Sequence, residues 1–381
     1  MAEKRVMFVM PNAPDRDIRV SKESGTLKEA GYLIALLYWD RNGKSNPPGV
    51  TDGYGETHCL KLKAPSGIML VFLLPVWWSY VFVSLLFKKW DVVHALNFHS
   101  IFPCLVAARL KKKHVVYDII DFYEWRTPGF IRPGFLRLDK FFMRLADAVI
   151  VADETQIVGI GGIPNSNVLP IYDAPTDALD SDDARYLDYQ DNKPFTLFYA
   201  GALYKNRQLN IDKVVEAVRN LEDVKLIIAG YGDLVDEIKG WSQLWPDKVE
   251  FIGQISYADV IKRGVRAHLF FVLRDYTIPT NRFICGSNIF NAMICGKPIL
   301  VNLGTSTTQK VVKENCGIAV NPHDVDEIRQ AIIRLRNSPQ LCRELGMNAR
   351  QAYEQRYGWH IMAKRLVGLY DDLTRKLDTV L

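Results

Sequence analysis

The sequence predicts an α/β protein built from two Rossmann-like, doubly wound units in series. Three observations predict it. Short apolar runs alternate with helical stretches along both halves of the chain, which is the pattern of parallel sheets covered by helices. An acidic, apolar-poor stretch, residues 174–194, interrupts that pattern and reads as a linker. At 381 residues the chain exceeds one average domain, and two of similar size are the natural division.

The first unit opens with Arg5–Met10 (RVMFVM) as a buried strand, a helix over Ser21–Ala30 ended by Gly31, and a second strand over Leu33–Tyr38. Val92–Ala95, Val115–Asp118 and Ala148–Ala152 read as further short strands. After the linker, strands are expected at Phe195–Tyr199, Val224–Ala229, Val249–Ile252, His268–Leu273, Pro298–Val301 and Gly317–Val320. Helices are expected at Ile211–Arg219, Asp324–Asn337 and Pro339–Gln355, and a long amphipathic helix at 359–381. Two such sheets in series place a ligand cleft at the carboxyl ends of their strands.

Residues 68–87, IMLVFLLPVWWSYVFVSLLF, carry no charge and are long enough to cross a bilayer as a helix. Three readings exist: monotopic insertion, a buried core helix, or a true span. Spanning is disfavoured because the flanking patterns belong to one sheet. Lipid contact is favoured. Pro75 would kink or split the helix. Trp77, Trp78 and Tyr80 suit the headgroup layer, and Lys88 and Lys89 close the run. Arg109 and Lys111–Lys113 add cations for anionic headgroups.

With 48% hydrophobic and 24% charged residues, the composition is globular, and the net charge of +5 is too weak to argue for nucleic acid. The six cysteines form no CxxC or Cys/His ligand spacing, so disulfides and structural zinc are not expected and a reducing, cytosolic compartment is. The N-terminus enters a strand at once, without a signal peptide. Asp180-Ser-Asp-Asp183 mimics a metal-binding DxD, but it lies in the polar linker and reads as solvated charge.

Four stretches of the second half carry chemistry. In Tyr199-Ala-Gly-Ala-Leu-Tyr-Lys-Asn-Arg207, Gly201 lets the backbone approach a ligand, and Lys205 and Arg207 place cations at a strand-to-helix turn, suited to a diphosphate or equally to a solvated turn. Gly230 and Gly232 in AGYGD, and Gly253 in FIGQI, mark further strand exits. In Gly286–Pro298 (GSNIFNAMICGKP), Ser287 reads as an N-cap whose helix directs free N–H groups at a ligand, and Gly296 ends that helix. Arg274 and Arg282 stand near it and could supply positive charge. In the first half, Arg19 and Asp17 lie in the first strand-to-helix loop, and Asp118, Asp121, Tyr123 and Glu124 crowd another strand exit. His94 and His99 read as hydrogen-bonded structural residues.

These stretches resemble the retaining, nucleotide-sugar-dependent glycosyltransferases with the GT-B fold, glycosyltransferase family four. The match runs through GALYKNRQ, LIIAGYGD, FIGQI and CGSNIFNAMICGKPIL, in order and spacing over about 195–320. DRDIRVSKESGTLKEAGY, WDVVHALNFH and HVVYDIIDFYEW are more loosely similar to the family's first domain. The resemblance implies two Rossmann-like domains facing a central cleft. Residues 1–173 would be the acceptor-binding domain, 195–358 the donor domain, and 359–381 a helix returning to the first domain. Donor binding would fall to Gly201, Gly230, Gly232, Gly253, Ser287, Asn288, Asn291 and Arg282, and acceptor binding to Arg19, Asp17 and Tyr123. Catalysis would fall to Asp121, Lys205 and Arg207. Asn291 stands where the family has a ribose-gripping glutamate, Phe283 where it has a second acid, Ile120 where it has a histidine, and Asn288 where it has a lysine.

The function expected is transfer of a sugar, with retention, from a nucleoside diphosphate sugar to an acceptor carried on a polyprenyl phosphate or diphosphate, at the cytoplasmic face of a membrane. No cofactor or metal is required, and no nucleic acid is involved. The alternatives are a non-catalytic scaffold or partner subunit, suggested by Asn291 and Ile120, and a sugar-nucleotide epimerase of the same fold.

Overall fold

The computed structural model describes residues 3–14, 18–41, 54–64, 69–120, 129–179, 193–205, 209–283 and 285–378. Two compact units emerge: residues 1–171 with 362–381, and residues 172–361.

The first unit is a parallel sheet of seven strands in the order β3-β2-β1-β4-β5-β6-β7. The strands are β1 Arg5–Met10, β2 Leu33–Asp40, β3 Glu56–Lys61, β4 Val92–Leu96, β5 His114–Ile119, β6 Ala148–Val151 and β7 Val168–Pro170. Strands β1 and β4 lie side by side at the centre, with Val6 opposite Val92 and Val9 opposite Ala95. Both their faces are covered, so they read as unbroken apolar runs. The edge strand β3 (ETHCLK) is only half-buried and carries no such run, so periodicity did not reveal it. Strand β7 (VLP) was missed because three residues are too short to show a period.

Helices α1 Ile18–Glu29, α2 Met69–Phe87, α3 Phe98–Lys111, α4 Arg132–Leu145 and α5 Glu154–Gly159 cover this sheet. The apolar run is α2, one continuous helix through Pro75, so the expected split does not occur. Pro75 is exposed, and the helix is held along its other side by Leu74, Trp77, Val81 and Leu85, an i, i+3, i+7, i+11 stripe that is 7% exposed or less. Lys111 donates from Nζ to the carbonyls of Leu85, Leu86 and Lys88 at 2.7–3.1 Å, capping the end of α2.

One expectation for this helix is corrected. Trp77 is not an interface residue: it is fully buried, stacked on Trp39 at 5.7 Å and beside Tyr80 at 6.2 Å. Trp78 and Tyr80 are half-buried, and the Trp78 indole donates to the His99 carbonyl at 2.9 Å. Lys88 pairs with Glu56, while Lys89 is exposed. The physical reason is that these aromatic side chains follow the stripe that meets the sheet.

The outer side of α2 leaves Phe72, Val76, Val83 and Phe87 exposed. It continues over Phe102, Val106 and Leu110 of α3, and then over Leu138 and Phe141 of α4, with Phe130 just before that helix. Ring contacts Trp78–Phe102 at 5.0 Å and Phe102–Phe142 at 6.1 Å join the three helices side by side. Neither α2 nor α3 contains an acidic residue, and the single one in α4, Asp139, is buried and accepts from Tyr117 at 2.7 Å.

The second unit is a six-stranded parallel sheet in the order β10-β9-β8-β11-β12-β13. Its strands are β8 Phe195–Ala202, β9 Val224–Tyr231, β10 Val249–Phe251, β11 Leu269–Val272, β12 Ile299–Asn302 and β13 Gly317–Val320. Helices α6 Ile211–Val218, α7 Val235–Leu244, α8 Tyr257–Gly264, α9 Pro279–Phe283, α10 Asn288–Ile294, α11 Ser306–Lys313, α12 Val325–Arg336 and α13 Pro339–Ala352 complete it. Asp324 caps α12 by accepting from Asp326 N and Glu327 N, both at 3.0 Å. The helix expected to run to residue 355 ends at Ala352 in a π-helical turn, Tyr353–Tyr357. Helices α7, α8, α9 and α11 were not expected, and of these α9 and α11 are short and without an apolar stripe.

The last helix, α14 Trp359–Asp378, joins the first unit from Met362 onward. Tyr370 lies against His94 with 2.7 Å between its hydroxyl and Nδ1, and Tyr32 donates to Asp371 at 2.7 Å. Burial first, and then the Asp371 carboxylate, push the Tyr32 hydroxyl up to about 12, so it stays a donor.

Candidate functional site

In the second unit the exits of three neighbouring strands are knitted together at the carboxyl edge. Gly201 lies opposite Gly230 in the β8–β9 register. Gly230 N donates to Gly253 O at 2.9 Å, Leu203 N to Tyr231 O at 2.8 Å, and Leu234 N to Leu203 O at 3.0 Å. A Cβ on Gly230 would stand 2.0 Å from Gly201 O, and one on Gly232 2.3 Å from Leu203 O; their φ values are +153° and +144°. These two glycines therefore permit the close meeting of two backbones.

Helix α10 packs beneath this edge, beside the β8–β11 junction where the strand order reverses and α/β sheets take ligands. All seven of its residues are buried. Asn288 and Asn291, three apart, share one face. A Cβ at position 201 would lie 3.2 Å from the Asn288 amide, so Gly201 and Asn288 touch. Asn291 is 7% exposed, and its Oδ1 has no hydrogen-bond partner among the described residues. A buried carbonyl oxygen without a donor carries a cost of about 1–3 kcal/mol, which a ligand hydroxyl would relieve.

Ser287 is not an N-cap: its backbone is helical (φ −57°, ψ −20°) and its side chain makes no capping bond. Non-helical backbone is what lets a cap side chain reach back, and Ser287 lacks it. Gly296 does end the helix, with φ +59° and the Lys297 N–H donating to Ala292 O at 3.1 Å. Lys205 is exposed, and its backbone N–H donates to Asp233 Oδ1 at 2.7 Å, tying its turn to the Gly232 turn. Arg207 lies outside the described residues. Arg282 is exposed with its guanidinium over the Phe283 ring at 5.4 Å. Arg274 is the nearer arginine to α10: its guanidinium packs on Gly286, where a Cβ would come within 2.5 Å, and Asn302 Oδ1 accepts from its backbone N–H at 2.8 Å. Asn302 and Lys310 were not singled out from sequence. Lys310 is buried, donates to Ser306 Oγ at 3.1 Å and stands 5.0 Å from the Tyr172 ring. No sequence signal marked it, because its helix was not read.

In the first unit Asp17, Asp121 and Tyr123 lie outside the described residues. Arg19, expected to bind the acceptor, is 4% exposed. It is held by Asp118 at 2.9 and 3.3 Å, by Glu23 at 3.1 Å and by the Ile171 carbonyl at 2.7 Å, because a buried guanidinium needs its donors matched. Burial would raise the Asp118 carboxyl, but Arg19 and then His94 outweigh it and hold it below its ordinary value. His94, fully buried, completes the cluster at 3.4 Å from Asp118 and is structural, as its place in the strand suggested. Ligand atoms of Glu23, His94 and Asp118 lie within 4.8 Å of one another, a spacing suited to a metal, but Arg19 already supplies the positive charge there. Burial, then Arg41, pushes His99 down to about 4, so that imidazole is neutral near pH 7.

Two parallel-sheet Rossmann-like units in one chain are the architecture of the GT-B fold. Residues 188–352 match the family model described as Glycosyl transferases group 1. The chain is 22% identical over 306 residues to an uncharacterised glycosyltransferase of Methanocaldococcus jannaschii, covering 77% of this chain and 71% of that one. It is 23% identical over 167 residues to the GDP-mannose-dependent monoacylated alpha-(1-6)-phosphatidylinositol monomannoside mannosyltransferase of Corynebacterium glutamicum, 43% of each chain. Among solved structures, Anabaena HepE in complex with UDP superposes with a TM-score of 0.72 at 14% identity, over 97% of this chain and all of that one. The second unit thus carries a Glycosyl transferases group 1 domain, and the protein is a nucleotide-sugar glycosyltransferase of GT-B type.

Proposed function

We propose that this enzyme works at the cytosolic surface of a membrane and transfers its sugar, with retention, to an acceptor carried on a lipid. The observation that carries the reading is the outer face of α2, α3 and α4. It combines exposed Phe72, Phe87, Leu110 and Phe141 with exposed Lys89, Arg109, Lys112, Arg137 and Arg144 and presents no exposed carboxylate from the helices themselves. Apolar and cationic groups on one face match an anionic lipid surface. One helix here is long and apolar enough to span (mean hydropathy 2.1), but its Trp77 stripe is committed to the sheet, so it lies on the bilayer. The Corynebacterium relative acts, by its name, on a phosphatidylinositol mannoside, which supports a lipid acceptor here.

On this reading the second unit holds the donor. Asn291 and Asn288 take donor hydroxyls, and Lys205 and Arg207 stabilise the diphosphate as the anomeric C–O bond breaks and charge grows on the leaving oxygen. Asp121 receives the acceptor proton or holds sugar hydroxyls. Gly201, Gly253, Ser287 and Arg282 belong to the donor's surroundings. No metal is needed, because these cations supply the charge.

Incubating the enzyme with labelled nucleotide sugars and extracted lipids tests this. Label in the lipid phase, with the donor's anomeric configuration kept in the product by NMR, is expected. Transfer to soluble acceptors alone would defeat the lipid reading.

A further inference from the structure

The apolar face is not flat. Between α2 and α3 runs a groove of about 310 Å³, at the lower end of the size range of small-molecule sites. Pro75, Trp78 and Phe82 form one wall and Phe102, Pro103 and Val106 the other. Its polar atoms are already engaged. The Trp78 N–H donates to His99 O, and the one hydroxyl in the wall, that of Ser79, donates to Pro75 O at 2.8 Å. The groove therefore offers an occupant dispersion and apolar contact with no hydrogen bond to satisfy. The Trp78–His99 bond also fixes its position: His99 is the second residue of α3, directly after the carboxyl end of β4. One end of the groove thus opens at the edge of the sheet where strand exits gather, and the rest continues along the helices.

We propose that this groove seats the apolar tail of the lipid-linked acceptor, so that its phosphorylated head emerges at the carboxyl edge of the first unit's sheet. This rests on the membrane reading above and deepens it: the outer face holds the enzyme on the bilayer, and the groove draws one chain out of it. The cations around a face to which α2, α3 and α4 bring no exposed carboxylate favour a chain with an anionic head over an uncharged one. The structure assigns Trp78, Phe102 and Val106 as determinants of tail binding, a role separate from that of the exposed Phe72 and Phe87.

Calorimetric titration with farnesyl phosphate, and with inorganic phosphate as the head alone, tests the assignment. Saturable binding of farnesyl phosphate and none of inorganic phosphate at the same concentrations are expected. Val106→Trp, which fills the groove from α3, and Ser79→Phe, which fills it from α2, should each weaken binding by about tenfold or more at an unchanged melting temperature. Lys112→Glu, outside the groove, should leave it unchanged. Equal affinity in both filled variants, or no saturable binding by the native protein, would overturn the proposal. So would a dimer in sedimentation that either filled variant dissociates. Co-sedimentation with phosphatidylglycerol vesicles keeps the two readings apart. Filled variants that still bind vesicles but not farnesyl phosphate lose the tail site alone. A native protein that ignores vesicles yet binds farnesyl phosphate removes the membrane reading alone.

Discussion

Helices α2 and α10 are both apolar segments in sequence, and they end in opposite surroundings. All seven residues of α10 are buried, and the two polar ones stand under the strand exits of the second unit. Among residues 70–87 of α2, only Leu74, Trp77, Val81 and Leu85 are buried. One helix hides polar groups inside a core, and the other displays apolar groups outside one. Each departs from the rule that apolar residues go inside and polar ones out, and each departure marks a surface that something else must complete.

The contrast is sharpest along α2 itself. Trp77→Ala should cost about 3–5 kcal/mol by denaturant unfolding, because it empties a packed ring site between Trp39 and Tyr80. Phe72→Ser, on the outer face at 76% exposed, should change stability by no more than about 0.5 kcal/mol while weakening vesicle binding. Similar stability losses at both positions would erase the distinction between the two sides of the helix.

Asp139 probes the inner side of the same face. Burial pushes its carboxyl up to about 6 despite the hydrogen bond from Tyr117. Its folded value lies above its ordinary one near 3.8, so the contribution to stability is complete below about pH 4 and is lost as the pH rises through 6. Asp139→Asn should abolish that loss, about 2–3 kcal/mol, and be at least as stable as the native protein at pH 7. Unfolding midpoints from pH 4 to pH 7, parallel for the two proteins, would contradict it.

In the donor unit Asn291→Ala should weaken nucleotide-sugar binding by about tenfold, or about 1.4 kcal/mol, with unfolding little changed, since the lost oxygen has no internal partner among the described residues. An unfolding shift without an affinity change would assign Asn291 to the core, like the rest of α10. A smaller loss than at Trp77 or Asp139 is expected from Tyr370→Phe. Losing the bond to His94 should lower stability by about 1 kcal/mol and raise hydrogen exchange in α14 first.

How much of this was legible in the sequence follows from where each signal resides. Alternation of apolar runs and helices, the glycines of the strand exits and the stretch from Gly286 to Pro298 are local, and from them the two sheets, the donor edge and α10 were read close to their observed limits. Strand β3 escaped because an edge strand need not be apolar. Helices α9 and α11 escaped because short helices lack a stripe.

By itself the sequence determined that residues 69–87 avoid water and that Asn291 sits in an apolar stretch. Only the tertiary structure decided that Trp77 faces the sheet while Phe72 faces out, that Arg19 spends its donors on Asp118, Glu23 and Ile171, and that the Asn291 oxygen has no partner among the described residues. The reason is physical. Aversion to water is a property of a side chain and is written locally, whereas burial and hydrogen-bond satisfaction depend on which distant elements arrive to cover it.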